Sequence, residues 1–333
     1  MKVYGIGNPF LDIFCDVKDS FFEENNIKKG ETDHVSEREA LQILENLSKY
    51  RYKIIPGGGA FNTLRALSLF HIHCEYLGAA GKDIKKFGKE KRNNEYFNPL
   101  LVFSEKETGK CFYLKSPDNK LTVIAAPGAA MSLSEKDIDL PLMEDSEIIY
   151  IEGFIFNNKK LKSLSFLKAV KPKRIYIDCG NPFIVTRYRK DIIDLSGKHT
   201  TVIMGTEGEI IAFSNSSITD SIRLLKKYCR AIIIKQGKNG ASFYSRNTGL
   251  LQVPPFYSVH ENTTGCGDLF AAGYMVAAKN GLSMYNRVAT GNLCGSLCLK
   301  HSGGWIESDD CKKLELLINK LKNDSILPGR PGK

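Results

Sequence analysis

With 333 residues, 42% of them apolar and 25% charged, the chain fits one large globular domain or two ordinary ones and not a fibrous or low-complexity protein. No run of about 18 apolar residues occurs, which excludes a transmembrane helix, and residues 1–8 read as a strand and turn rather than a signal peptide. The net charge of +10 suits anionic small substrates, but the basic residues are dispersed apart from Lys85-Lys86, Lys89 to Arg92 and the tail after Lys320, with no basic stripe interleaved with aromatics, so nucleic-acid binding is not expected.

Residues 3–6 form a short apolar strand ending in Gly7-Asn8-Pro9. Next comes Phe10-Leu11-Asp12-Ile13-Phe14, which sets an acid among apolar neighbours. Asp12 occupies either a turn or edge position, or a buried one needing a partner such as a substrate hydroxyl. Residues 19–34 are polar and read as loops with short strands. Residues 36–50 show helical spacing, with Ser36 as N-cap and Glu39 completing a capping box. An apolar segment at 54–55 then meets Gly57-Gly58-Gly59 and opens a helix with Asn62 in its first turn. Three consecutive glycines indicate a tight turn, a hinge or a ligand contact.

Residues 74–80 read as a strand, and 103–114 and 121–126 as β segments around Ser116-Pro117-Asp118-Asn119. A short helix is expected at 134–140 and a strand at 147–151, ending at Glu152. From there the pattern alternates. Helices fall at 159–170, 188–194 and 219–229. Strands fall at 174–178, 201–204 and 231–234, the last running into Lys235-Gln236-Gly237-Lys238-Asn239-Gly240. Such alternation predicts a parallel sheet covered by helices on both faces, with ligands beyond the carboxyl ends of its strands. Asn8, Gly57, Asn181, Glu209, Gly237 and the loop before Asp268 all follow strands.

Residues 251–259 are extended, and Pro254 and Pro255 argue against a central strand there. Then comes Asn262-Thr263-Thr264-Gly265-Cys266-Gly267-Asp268, a turn that opens a helix over 269–279. Gly265 and Gly267 let a ligand approach the main chain, and the free amides and dipole of a helix start make a socket for phosphate. Asp268 reads either as a first-turn capping acid or as a base for a hydroxyl that attacks the phosphate. Helices at 284–300 and 309–321 precede a frayed tail at 322–333. Nine cysteines, an odd number with no Cys-x-x-Cys pair, point to reduced thiols in a cytosolic compartment. Cys294 and Cys298 read as packed helix residues rather than metal ligands.

With these elements placed, residues 1–315 resemble the ribokinase-like (PfkB-type) family of sugar and nucleoside kinases. Its signature, Asp-Thr-x-Gly-Ala-Gly-Asp, is similar to the segment from Asn262 to Asp268, and its paired-glycine motif to Gly57-Gly58 with Asn62 downstream. The resemblance implies an α/β fold. It would be a three-layer α/β/α domain over residues 1–321 with a mostly parallel central sheet. A small β-sheet lid would form from roughly 14–35 and 103–126, leaving 322–333 as a C-terminal tail. It also implies phosphoryl transfer from ATP, with Mg²⁺, to a hydroxymethyl group. Asp268 would be the base, and the amides of Gly265, Cys266 and Gly267 the anion hole; the chemistry requires such positioning and charge stabilisation.

Within the family, Gly7-Asn8-Pro9-Phe10-Leu11-Asp12-Ile13 is similar to the opening motif of the adenosine-kinase branch. That likeness implies that Asn8 and Asp12 hold the nucleoside, Asp12 by the ribose hydroxyls, with Gly57, Gly58 and Asn62 completing the contacts. Cys179-Gly180-Asn181-Pro182-Phe183-Ile184 resembles the branch's segment ending Pro-Phe-Ile. This sets Phe183, with Phe10, against the adenine face, or else leaves Phe183 in the core.

For ATP the resemblance points to Gly237 and Gly240 in the nucleotide loop, Thr264, Thr206, and Asn292 beside the base. Glu209 would organise Mg²⁺ through water, with Thr206 replacing the Asn of the family's Asn-x-x-Glu motif. Asn262 replaces an Asp that in several relatives helps to hold a monovalent cation such as K⁺, together with backbone near 301–304, so that charge is missing here. The activity implied is phosphorylation of the ribose 5′-hydroxyl of adenosine, giving AMP and ADP. The alternatives are a sugar kinase (ribokinase- or fructokinase-like), another nucleoside kinase, or a catalytically weak ligand-binding relative. Expected partners are the nucleoside or sugar and ATP, without nucleic acid or membrane, in a monomer or homodimer.

Overall fold

The computed structural model describes residues 1–86, 94–168, 170, 174–196, 201–256, 263–301 and 303–323. Lys89 to Arg92, Asn262, the end of the extended run at 251–259 and the tail from 324 lie outside the described residues. The described strands are β1 (Lys2–Ile6), β2 (Phe10–Asp16), β3 (Thr32–His34), β4 (Tyr52–Gly57), β5 (His73–Gly81), β6 (Phe97–Ser104), β7 (Thr108–Lys115) and β8 (Leu121–Gly128). They continue with β9 (Ile148–Glu152), β10 (Arg174–Asp178), β11 (Thr201–Thr206), β12 (Ala231–Lys235), β13 (Ala241–Ser245) and β14 (Gly249–Val253).

Nine of them form one sheet in the order β14-β13-β12-β11-β10-β9-β1-β5-β6. From β12 to β6 every pairing is parallel, and β13 and β14 add an antiparallel edge. Pro254 and Pro255 follow that edge strand, where a missing N–H costs least. The strands are apolar on both faces because both are covered. Alternate residues Val3, Ile148, Tyr176, Val202 and Ile233 pack beneath helices Gly59–Ser68, Cys266–Lys279 and Met284–Cys298. Their neighbours Tyr4, Ile149, Ile177, Ile203 and Ile232 face the opposite layer, which includes Pro182–Ser196 and Ile218–Leu225.

The second sheet is small, in the order β3-β8-β7-β2-β4. It begins at Phe10, and Tyr52–Gly57 is its edge strand, although in sequence that segment reads only as an approach to a glycine turn. Phe103 and Ser104 belong to the large sheet instead. One face is covered by helix Glu37–Asn46, started by the Ser36/Glu39 capping box, and by Asp19–Glu24. The latter is helical where a polar loop is expected, because Phe21 and Phe22 are buried in the small core. Period two then fixes the other face. Leu11, Ile13 and Cys15 are buried on one side, so Phe10, Asp12 and Phe14 share the opposite side, where Phe14 stacks on Tyr113 with centroids 4.7 Å apart.

Two helix expectations change in detail. Lys159–Lys168 is 3₁₀ rather than α, and 134–140 divides into a 3₁₀ turn, Glu135–Asp137, and a helix, Leu140–Glu144, with Pro141 in its first turn. Among the described residues no helix is long and apolar enough to cross a membrane. All nine cysteines are free.

Candidate active site

The candidate residues converge where β1, β4, β9, β10 and β12 end. Asp12 projects from the small sheet and is 3% exposed. A side chain on Gly57 would collide with its carboxylate, so the main chain of the glycine turn lies directly against Asp12. Gly58 has φ +112°, and a Cβ there would strike the carbonyl of Asn8. Asn8 is itself buried, and its Oδ1 has no hydrogen-bond partner. The third glycine, Gly59, brings the turn to Asp268, whose Oδ1 lies 3.3 Å from where a Cβ would stand.

Asp268 does not cap its helix. The N-cap is Gly265 at φ +80°, with no side-chain cap. The Asp268 carboxylate instead accepts from Asn62 Nδ2 at 2.9 Å. Thr63 Oγ1 donates to the Asp268 carbonyl at 3.1 Å, tying together the two helix starts. Burial raises the Asp268 pKa to about 7. Asp178 adds to the rise, while the Asn62 bond, Lys235 and Arg65 oppose it. Asp12 is raised to about 8, by burial first and then by the charge of Asp268, against the pull of Arg65.

Of the three amides expected in an anion hole, that of Cys266 donates to the carbonyl of Thr263 at 3.1 Å. Gly265 and Gly267 flank it in the turn, where helix amides lack intrahelical partners. Behind the turn lies the loop at 303–305. A Cβ on Gly265 would run into Gly304, and Arg65 donates to the Gly304 carbonyl with its guanidinium 3.3 Å from the Trp305 ring centroid. One carbonyl in the segment assigned by resemblance to a monovalent cation therefore already binds a fixed positive charge. Gly265→Ala combines a collision with main chain and a left-handed backbone. It is expected to cost about 1–3 kcal/mol of stability and to lower the thermal midpoint by several degrees; an unchanged midpoint would show that the 303–305 loop yields freely.

The nucleotide-side candidates gather at the ends of β11 to β14. Thr206 and Glu209 form a capping box, with Thr206 N donating to Glu209 Oε2 at 2.9 Å, so the threonine keeps a hydrogen-bonding role at that helix start. Burial raises the Glu209 pKa, opposed by Lys235. Gly240 (φ +82°) packs against Val253 and the following prolines, and Asn292 Nδ2 donates to the carbonyls of Val253 and Pro254 at 3.3 and 2.9 Å. Asn292 thus braces the edge hairpin. Thr264 lies in the turn, its carbonyl 3.5 Å from Cys298 Sγ. Gly237 has φ +54° and open space around it.

The two aromatic candidates differ. Phe10 lies on the open face of the small sheet, its ring against Gly109. Phe183 is 59% exposed and 5.9 Å from the Arg187 guanidinium, so it is not a core residue.

Sequence reasoning passes over three charged groups that complete the site. Glu152 is buried and accepts from Ala60 N at 2.9 Å, holding the glycine turn; burial raises its pKa to about 8. Asp178 and Lys235 form an ion pair, with Lys235 Nζ 3.0 and 2.8 Å from the two carboxylate oxygens. The available signal is a charged residue closing a mostly apolar strand, as in Ile148–Glu152, Arg174–Asp178 and Ala231–Lys235.

A large parallel sheet, a small second sheet and an acid beside a glycine-started helix define a class of phosphotransferase folds. The sequence pattern described as pfkB family carbohydrate kinase matches residues 33–310, and the chain belongs to that kinase family. It is 24% identical to the adenosine kinase of Schizosaccharomyces pombe, over 90% of this chain and 95% of that protein. A solved probable sugar kinase from Rhizobium etli superposes with a TM-score of 0.82 at 18% identity, covering 95% of this chain and 98% of that one. Adenosine kinase from Schistosoma mansoni in complex with 2-fluoroadenosine superposes with a TM-score of 0.79 at 24% identity, covering 93% and 98%.

Proposed function

We propose that the chain is an ATP-dependent kinase that phosphorylates the ribose 5′-hydroxyl of adenosine, giving AMP and ADP. The observation that carries this reading is the pairing of a nucleoside-shaped polar set with a positioned base. Buried Asp12 and the main-chain carbonyl of Asn8 lie against the same turn that brings Asn62 to Asp268, and Asn8 Oδ1 is buried without a partner. A buried acceptor without a donor is costly, and ribose hydroxyls would supply donors to both groups. Similarity to adenosine kinases across most of the chain supports the same substrate.

Asp268 takes the proton of the 5′-hydroxyl as its oxygen attacks the γ-phosphorus, and ADP leaves from the opposite side. The Gly265 and Gly267 amides and the helix dipole meet the transferring phosphoryl group. The small sheet acts as a lid that shields the ribose, with Phe10 and Phe183 flanking the adenine. Gly237, Gly240, Thr206, Thr264 and Asn292 border the ATP. Mg²⁺, when bound, screens the phosphate charge. Among the described residues no three His, Cys, Asp or Glu side chains converge on one point, so the fit is to an ion held by phosphate and water with Glu209 as an outer partner. The free thiols suit a reducing, cytosolic setting, and the reaction would return adenosine to the nucleotide pool.

The test is a substrate panel with ATP and Mg²⁺, read as AMP and ADP by chromatography. Adenosine is expected to turn over, and ribose, fructose and inosine not. Phosphorylation of a free sugar alone would overturn the reading in favour of a sugar kinase. Thermal stabilisation by adenosine without turnover would favour a binding protein.

A further inference from the structure

We propose that Lys235 is a further catalytic residue, whose ammonium group, held in place by Asp178, meets the phosphoryl group in transfer and neutralises charge on its oxygens. The inference rests on the kinase reading above. Lys235 closes β12 and Asp178 closes β10, two strands that flank β11. Ile233 and Tyr176, each two residues earlier, lie in the core under helix Cys266–Lys279, so both charged side chains point to the layer that carries Asp268. The ammonium reaches the start of that helix. A Cβ on Gly267 would stand 3.2 Å from Lys235 Nζ. The lysine and the first-turn amides therefore border one small volume, the one that an anion at this helix start would fill.

The pair is poorly explained as packing alone. Its side chains are only 13% and 12% exposed, and a buried ion pair offers little net stability compared with an apolar pair of similar volume. Its geometry does suit a phosphate. An ammonium has three donors, and two are engaged by the carboxylate oxygens, which leaves one for a ligand. Asp178 keeps the lysine charged despite burial, so the positive charge is fixed before the phosphate arrives. Asp178 is anchored in turn. Tyr150 OH donates to its Oδ2 at 3.3 Å and lies 3.3 Å from Thr63 Oγ1, which donates to the Asp268 carbonyl.

The test compares Lys235→Met with the double variant Lys235→Met/Asp178→Asn. The double variant removes both charges, so no orphaned acid is left to unfold the protein. Adenosine affinity is measured calorimetrically without ATP, and kcat at saturating adenosine and ATP. Both variants are expected to keep the adenosine Kd within about 3-fold and to lose at least about 100-fold in kcat, with Lys235→Arg recovering part of it. Recovery of near wild-type kcat in the double variant would overturn the proposal, because a merely structural pair is satisfied when both charges go. If the wild-type chain transfers phosphate to nothing in the panel, the kinase reading fails and this inference falls with it. An active wild type with active variants sinks the lysine alone.

Discussion

Asp268→Asn is expected to lower kcat by at least about 100-fold, roughly 2.7 kcal/mol of transition-state stabilisation, while adenosine affinity changes little. The substitution keeps the shape and leaves a carbonyl oxygen for Asn62 Nδ2, so the 2.9 Å bond that orients the group survives. What it removes is the ability to take a proton. The wild-type pH profile supplies the second readout. Burial holds this carboxyl at about 7, far above the ordinary aspartate value of 3.8. As a base it works only when ionised, so kcat at saturating adenosine, with Asp12 already engaged by the ribose, should rise about tenfold per pH unit below that point and level off above it. The variant's residual rate should lack that limb. Near-normal turnover in Asp268→Asn, or an acid limb that persists in it, would refute the assignment.

Much of this arrangement is legible in sequence where the cause is local or periodic. The Ser36/Glu39 capping box spans three residues and forms as expected. Strand–helix alternation after 147 reflects a sheet buried on both faces, and the structure has that sheet. Asp12 stands out because it is an acid inside the apolar run Phe10-Leu11-Asp12-Ile13-Phe14; the face it shares with the two aromatics comes from the strand it forms. The groups that escape notice are held by partners distant in the chain. Glu152 holds Ala60 across 92 residues and Lys235 holds Asp178 across 57. Each reads in sequence as an ordinary strand end. Local signals also mislead where tertiary burial decides, as at Phe21 and Phe22, which turn a polar loop into a helix. Asn292 lies on its helix as expected, but its amide is already bonded to main-chain carbonyls, which no spacing argument reveals. Asp268 does lie in the first turn of its helix, but Gly265 is the N-cap and the carboxylate is bonded to Asn62, 206 residues away, so it does not cap.

The other large effect falls at Asp12, where function and stability are expected to move in opposite directions. Asp12→Asn should raise the adenosine KM by about 100-fold and change kcat much less. An ionised carboxylate accepts from two ribose hydroxyls, and hydrogen bonds to a charged group are worth about 1.5–3 kcal/mol each. An amide presents an NH₂ to one of them. The carboxylate is pressed against the main chain at Gly57, so it has little room to adjust. The free protein should respond the other way. Asp12 is held at about 8 in the fold, against 3.8 for an ordinary aspartate, chiefly by burial. A raised acid pKa means that the fold prefers the neutral form. Its stabilisation is complete below about 4 and is lost as pH rises through about 8. Asparagine does not titrate, so the thermal midpoint of the variant should match that of wild type at or below about pH 4 and exceed it by several degrees near pH 8.5. Adenosine should narrow the gap, because its hydroxyls stabilise the charged carboxylate of the wild type alone. An unchanged KM would remove Asp12 from the ribose site. A midpoint difference that stays constant with pH would show that the carboxyl is not kept neutral by burial, and the substrate would then have no costly charge to relieve.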